Sequence, residues 1–281
     1  QQYIIKNYKI ENLVTNVIRD ASDYVRPINL GYLRKKFNIK KNSIGYIGGL
    51  FRGRGIDLII KIADRCPDHN FYIIGGSEYE VNYWKNRSKS DNLFYLGYIN
   101  HSIATQLAYI FDILIAPYQN KVFVHGSKLE EKRNIYELET SKFMSPLKIF
   151  EYMATKKPII ASDMKVLKEF LKNDHNCLLC NSKKEDSWID AINRIHKDKI
   201  LKKFITNNAY KDLTSKYSWS KRAEKIIKSN HEANKVIIFN TNLDGGGAEN
   251  VLTIITNNLI AKRVDVTLIL SKKRGEYLEF L

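Results

Sequence analysis

The chain has 281 residues, of which 44% are hydrophobic, 27% charged and 11% aromatic. That length gives one large or two modest domains, the composition excludes intrinsic disorder, and no apolar run approaches the roughly 18 residues that a membrane span needs. Lys and Arg outnumber Asp and Glu by 46 to 30, a net +16, which makes nucleic acid, anionic lipid headgroups or phosphorylated small molecules fitting partners without choosing among them.

The N-terminal stretch QQYIIKNYKI lacks both an initiator Met and a long apolar core. It is therefore no secretory signal and is expected to begin mid-protein. From Ser43 onward short β-rich runs alternate with helical patterns. The strand candidates are SIGYIGG (43–49), FYIIGG (71–76), LFYLG (93–97), ILIAP (113–117), PIIAS (158–162) and CLL (177–179). Between them, residues 55–66, 100–111, 145–156, 164–172 and 185–197 place apolar side chains at three- and four-residue spacing. Such alternation predicts βαβ units and a doubly wound parallel sheet of Rossmann-like type. Two helical stretches follow, 200–217 and 218–234, the second with Ser218 as N-cap. The pattern then restarts with KVIIFN (235–240), the glycine turn NLDGGGAE (242–249), a helix over 250–262 and VDVTLIL (264–270). This is a partial, appended βαβ unit. One βαβ unit cannot cover both faces of its own sheet, so 235–281 is expected to be incomplete or to lean on the first domain.

Three cysteines, Cys66, Cys177 and Cys180, are too few and too odd in number for a disulfide framework and fit a reducing cytoplasm. Cys177 and Cys180 form a CxxC, but NCLLCN (176–181) reads as a short buried strand, without the second ligand pair that zinc needs or the helix N-terminus that redox chemistry needs. No metal site is expected.

The stretch SPLKIFEYMATKKPIIASD (145–163) is the most informative. Ser145 is expected to cap a helix with Pro146 in its first position, leaving the amides of Leu147 and Lys148 open to an anion. Lys148 adds a charge there, and Glu151 lies three residues on, while Leu147, Phe150 and Ala154 are expected to face the core. A carboxylate at Glu151 can accept both hydrogen bonds of a ribose diol. An ordinary surface Lys–Glu pair, worth about 0.2–0.5 kcal/mol, is the plain alternative. A second phosphate signal is IGGLFRGRGID (47–57), in which Gly48 and Gly49 let a ligand approach the backbone and Arg52 and Arg54 can grip it. A tight turn without a ligand would explain those glycines equally well. Both features follow carboxyl ends of strands, where open α/β sheets bind ligands. The long stretch 119–144 lies beside them; His125, Glu137 and Glu139 are candidates to touch a ligand there, and ordinary solvated loop residues are the favoured alternative.

The order of IGGLFRGRGID, GGS (75–77), YLGYI (95–99), IAPY (115–118), SPLKIFEYMATKKPIIASD and YSWSKRAEKII (217–227) resembles the C-terminal lobe of GT-B glycosyltransferases of the group 1 family (family four), over about Val14 to Ile227. KVIIFNTNLDGGGAENVLTIITNNL (235–259) resembles the start of an N-terminal lobe of that family, placed after the C-terminal lobe instead of before it. The resemblance implies a preceding lobe and linker in 1–41, a nucleotide-sugar-binding lobe in 42–217, a C-terminal helix and linker in 218–234 and a partial N-terminal lobe in 235–281, as in a fragment of a tandem enzyme. It implies sugar transfer from a nucleotide-sugar donor to a hydroxyl, with retention and without a metal or resident cofactor, in glycan or polysaccharide biosynthesis. The implied acceptor is lipid-linked or polysaccharide, and the place of action the cytoplasm or the inner face of the membrane. The donor-binding set it implies is Gly48, Gly49, Arg52, Arg54, Ser145, Leu147, Lys148 and Glu151, with no catalytic base assigned. Two positions depart from the family. Glu151 matches the second of two glutamates spaced by seven residues, but Phe143 stands at the first; Gly49 stands where many members carry an Arg. A non-catalytic nucleotide-sugar-binding or scaffolding fragment is the competing expectation. Nucleic acid is not an expected partner, because no zinc finger or RNP motif is present and the basic residues are dispersed.

Overall fold

The computed structural model describes residues 18–123, 139–142, 144–228, 235–244 and 247–281. It divides into two compact units, Tyr24–Leu213 and Gln1–Asp23 with Thr214–Leu281.

In the first unit, α1 (Leu30–Lys36) precedes a parallel sheet of β1 (Ser43–Ile47), β2 (Asn70–Ile74), β3 (Leu93–Gly97), β4 (Ile113–Ala116), β5 (Ile159–Ser162) and β6 (Leu178–Cys180). The spatial order is β3-β2-β1-β4-β5-β6 and every pairing is parallel. This is the doubly wound arrangement that the alternating pattern predicts. The crossovers include α2 (Ile56–Arg65), α3 (Glu78–Lys85), α4 (His101–Ala108) and α5 (Leu147–Ala154), and α6 (Glu185–Lys197) and α7 (Lys199–Lys216) follow β6. Apolar residues recur along α2 at helical spacing, and six of its ten residues are buried. They meet Ile44, Tyr46, Phe71, Ile73 and Ile115 of the sheet and Trp188, Ile192 and Ile195 of α6 in one continuous core. On the other face Tyr72 stacks between Phe94 and Phe111, at ring-centroid distances of 5.0 and 5.6 Å.

The expected helix over 164–172 is absent. Only the 3-10 turn Leu167–Glu169 forms there. Val166, Leu167, Phe170 and Leu171 are still buried, so the apolar spacing reports burial and not helix length. The Asn176 side chain stops the turn: it accepts from the Lys172 amide at 2.7 Å and donates to the Phe170 carbonyl at 3.0 Å. Conversely, α1 and α3 have no counterpart among the expected elements. Cys177 and Cys180 flank and end the short strand β6, both buried. Burial pushes both thiols up, Cys180 to about 12, which leaves them inert at neutral pH.

In the second unit, α8 (Trp219–Lys228) opens with the Ser218 hydroxyl accepting from the Lys221 amide at 3.2 Å, as the sequence predicts. β7 (Lys235–Asn240), α9 (Gly247–Ala261) and β8 (Asp265–Leu270) form a two-stranded parallel βαβ unit, with the 3-10 turn Glu276–Phe280 beyond it. Ala223 of α8 and Ile255 and Leu259 of α9 are its buried centre, against which Val236, Ile238 and Val266 of the sheet pack. The other sheet face leaves Ile237, Phe239 and Ile269 exposed.

Candidate functional site

The strand order reverses direction between β1 and β4, and the crevice outside the carboxyl ends of those two strands is where this architecture places ligands. Gly48 follows β1 there and Tyr118 lies two residues beyond β4. Gly48 has φ +146°, in a region that side-chain-bearing residues rarely adopt, and a Cβ on it would collide with the amino group of Lys148. The glycine therefore lets the lysine amine lie directly against the β1–α2 turn.

Lys148 reaches that position from the first turn of α5. The helix begins at Leu147 with Pro146 in the cap position and no side-chain cap bond. This corrects the expectation of Ser145 as cap and Pro146 as first helical residue. Proline cannot donate a backbone hydrogen bond, so its carbonyl begins the helix by accepting from the Ile149 amide at 3.0 Å. The buried face of α5 is Ile149, Phe150, Tyr152, Met153 and Ala154, whereas Leu147 is only half-buried. Lys148 and Glu151 remain on the other side, three residues apart.

The Lys148 amine is buried yet has no hydrogen-bond partner among the described residues. It lies 3.9 Å above the Tyr46 ring centre and 5.4 Å from that of Tyr118. Burial, and after it the charge of Arg54, hold its pKa well below the usual lysine value, with Glu151 opposing. Arg54 also lies over Tyr118, its guanidinium carbon 5.5 Å from the ring centre. An unpaired amine and a guanidinium around one ring form a cationic pocket that an anion would relieve. Tyr46 is held in place by donating to the Gly49 carbonyl at 2.7 Å, and Tyr152 of α5 accepts from the Ile47 amide at 2.9 Å, tying the helix to the end of β1.

Glu151 is 21% exposed at its side chain, and its Oε1 lies 2.7 Å from Nε2 of His101 at the start of α4. That carboxylate raises the histidine pKa. The second oxygen, Oε2, makes no hydrogen bond to a described residue, which gives a diol a place to dock.

Of the remaining expected residues, Gly49 is adjacent, but a side chain there would run into the Phe51 ring. A larger residue at this position therefore requires the Phe51 ring to move. Gly55, at φ +82°, has no room for a Cβ against the Pro117 carbonyl, so the 51–55 turn is clamped to the segment after β4. Arg52 turns elsewhere: its guanidinium lies 4.9 Å over the Phe123 ring. It lines a separate cleft of about 550 Å³ with Tyr83, Trp84 and Arg87. Ser145 is half-buried just ahead of α5. Glu139 bridges to Phe123 and accepts from the Ser141 hydroxyl; His125, Glu137 and Phe143 lie outside the described residues. Sequence reasoning missed Tyr46, Tyr118 and His101 as parts of this site. YLGYI and IAPY drew attention only as family signposts, and nothing local marks the tyrosines as walls for an amine.

Fold and crevice together define a doubly wound, Rossmann-like α/β lobe with an open crevice at the switch point of its sheet. The chain belongs to the family described as glycosyl transferases group 1, whose model matches residues 33–212. It is 25% identical over 234 residues to an uncharacterized glycosyltransferase of Methanocaldococcus jannaschii, covering 77% of this chain and 53% of that one. Among solved structures it is similar to Anabaena HepE in complex with UDP and glucose, with a TM-score of 0.61 at 16% identity over 78% of this chain and 57% of that one. It is likewise similar to a glycosyltransferase of Rickettsia africae, with a TM-score of 0.61 at 18% identity over 81% and 59%, and to sucrose-phosphate synthase of Thermosynechococcus elongatus, with a TM-score of 0.59 at 17% identity over 81% and 54%. The chain thus spans about half the length of the relatives it matches. Among the described residues no helix is long and apolar enough to cross a membrane.

Proposed function

We propose that residues 42–217 are the nucleotide-sugar-binding lobe of a glycosyltransferase that moves a sugar to a hydroxyl acceptor. The observation that carries this reading is the buried, unpartnered amine of Lys148, held against the Gly48 backbone at the switch point of the sheet. The donor diphosphate would lie across the Gly48–Gly49 turn and the N-terminus of α5, where the amides of Leu147 and Lys148 lack intrahelical acceptors. Lys148 and Arg54 would neutralise it, and Glu151 would accept from the ribose hydroxyls through its second oxygen. Charge develops on the leaving diphosphate as the glycosidic bond breaks. These fixed cations and amides are already aimed at it, so this lobe can stabilise departure without a divalent ion or a resident cofactor. No group on this lobe is assigned as a base.

The family membership supports sugar transfer, and the complexes of HepE with UDP support a nucleotide-sugar donor. Retention of configuration, a lipid-linked or polysaccharide acceptor, and work at the inner face of the membrane are part of the same proposal, the last favoured by the net +16 charge. Residues 235–281 would open the N-terminal lobe of a second such enzyme. The test is calorimetric titration of the chain with UDP-, GDP- and ADP-sugars, followed by transfer of labelled sugar to acceptor extracts with and without EDTA. Saturable binding of one donor class and EDTA-resistant transfer support the proposal. Binding without transfer favours the non-catalytic fragment, and failure of all three donors to bind removes the nucleotide-sugar reading.

A further inference from the structure

A cleft in the first unit lies at the opposite end of the strands, where β1 and β4 begin. Its volume is about 680 Å³, within the range of small-molecule sites. β1 is five residues long, so the cleft lies about 15 Å from the Gly48 turn at roughly 3.3 Å per residue. Arg34, Lys40, Lys41, Lys199 and Lys202 line it against the single carboxylate of Asp112, a balance of 5 − 1 = +4 with histidines neutral. Asp112 is already engaged, its Oδ2 accepting from the Ser43 amide at 2.9 Å and the Ser43 hydroxyl at 3.1 Å. Among the described residues none of the five cations makes an ion pair within 4.0 Å, although exposed ion pairs join α2 to α6 close by. Like charges crowd here: Lys202 and Arg34 both press down the pKa of nearby Lys157, after burial, with Asp112 opposing.

An independent observation marks the floor of the cleft. His69 is only 8% exposed, and its Nε2 is buried with no hydrogen-bond partner among the described residues. Burial and the neighbouring His196 ring, 5.8 Å away, hold His69 toward its neutral form against the pull of Asp68 and Asp112. With its proton on Nε2 the neutral ring presents a buried donor without a partner, which an anion drawn in by the net +4 wall would complete.

We propose that this cleft is a second anion site, distinct from the nucleotide-sugar crevice, and that it binds a ligand carrying at least two phosphate groups, with Lys199 and Lys202 on its rim and His69 at its floor. Each phosphate group brings a charge of about −1.5 to −2 at neutral pH, so two of them match the +4 of the wall. Lysine-dominated recognition suits phosphate as a point charge, and no planar Arg fork is required.

The test is titration of the 281-residue chain with inorganic pyrophosphate in a Lys148→Ala background, which disables the other crevice, beside flotation with phosphatidylcholine vesicles doped with phosphatidic acid. Pyrophosphate is expected to bind still, and Lys199→Glu/Lys202→Glu to weaken it more than tenfold. His69→Gln, which keeps the fold without a titratable ring, should weaken it about threefold or more. Vesicle flotation that requires Lys199 and Lys202 and is competed by pyrophosphate identifies a lipid headgroup as the source. Binding without flotation identifies a soluble ligand, and both outcomes support the site. Loss of pyrophosphate binding in the Lys148→Ala background itself overturns the proposal. So does an equal effect from Lys225→Glu/Lys228→Glu in the other unit, which would reduce the interaction to overall charge.

Discussion

SIGYI in β1 and KVIIFN in β7 are both short apolar runs that lead into glycine turns, yet they end in different surroundings. The first four residues of β1 are buried, whereas β7 alternates exposed and half-buried along its whole length. The six-stranded sheet is covered on both faces, and every apolar side chain of β2, β4 and β5 is buried. The two-stranded sheet is covered on one face only and leaves Ile237, Phe239 and Ile269 in water. A strand apolar on both faces belongs to a three-layer architecture, and in β7 and β8 the third layer has no occupant among the described residues. The contrast also bears on chemistry. Among the described residues the buried amine without a partner, Lys148, stands at the carboxyl end of the six-stranded sheet.

The largest effect should come from the centre of the complete sheet's core. Trp188 is fully buried between α6 and the sheet, its indole nitrogen donating to the Asn181 carbonyl at 3.0 Å. Trp188→Ala should cost about 3–5 kcal/mol, read as a lower urea midpoint. An effect below about 1 kcal/mol would mean that this core is not packed as described.

The amine of Lys148 should behave in the opposite sense. Lys148→Met keeps the aliphatic packing and removes a buried unpaired polar group, so it should stabilise the free protein by about 1–3 kcal/mol while weakening nucleotide-sugar binding more than tenfold. The pH dependence follows from the depressed folded pKa. Between that value and the ordinary 10.5 the unfolded chain holds the proton more tightly, so wild-type stability rises with pH across this window. The advantage of the variant should therefore narrow as pH is raised from 7 toward 10, measured as the difference in Tm. A constant gap would show that the amine keeps an ordinary pKa.

How much of this was legible follows from how local each feature is. The six strands stand out because β-branched and aromatic runs between glycine and proline turns need no partner to be recognised. Helix α3 was missed because only Val81 of its eight residues is buried, which leaves almost no apolar stripe. Its start is nonetheless written in the sequence: Ser77 and Glu80 form a reciprocal capping box. The Lys148–Glu151 pair was legible because three-residue spacing sets one helix face. The direction of Arg52 was not, since it depends on Phe123, 71 positions away, and the His101 partner of Glu151 is 50 positions away. Such pairings arise only once β1 lies beside β4.

A smaller effect, confined to ligand, is expected at the carboxylate. Glu151→Ala should weaken nucleotide-sugar binding more than tenfold, about 1.4 kcal/mol, and leave the urea midpoint nearly unchanged, since its exposed bond to His101 contributes little. Unchanged affinity in a calorimetric titration would remove Glu151 from the site and leave the Lys148 pocket standing alone.

The smallest effect should come from the bare face of the two-stranded sheet, and it probes the comparison most directly. Phe239 is 69% exposed on β7, so Phe239→Ser removes little buried surface. Stability should change by less than about 0.5 kcal/mol, against several for Trp188→Ala, although one aromatic stands on a parallel sheet and the other, on α6, packs against one. Joining the chain to a segment that supplies the third layer should reverse this: Phe239 then becomes a core residue, and its replacement should cost about 3 kcal/mol or more. If Phe239→Ser is equally harmless in the extended protein, β7 was never meant for a covered sheet. The likeness of 235–281 to the opening of an N-terminal lobe would then be one of local sequence alone.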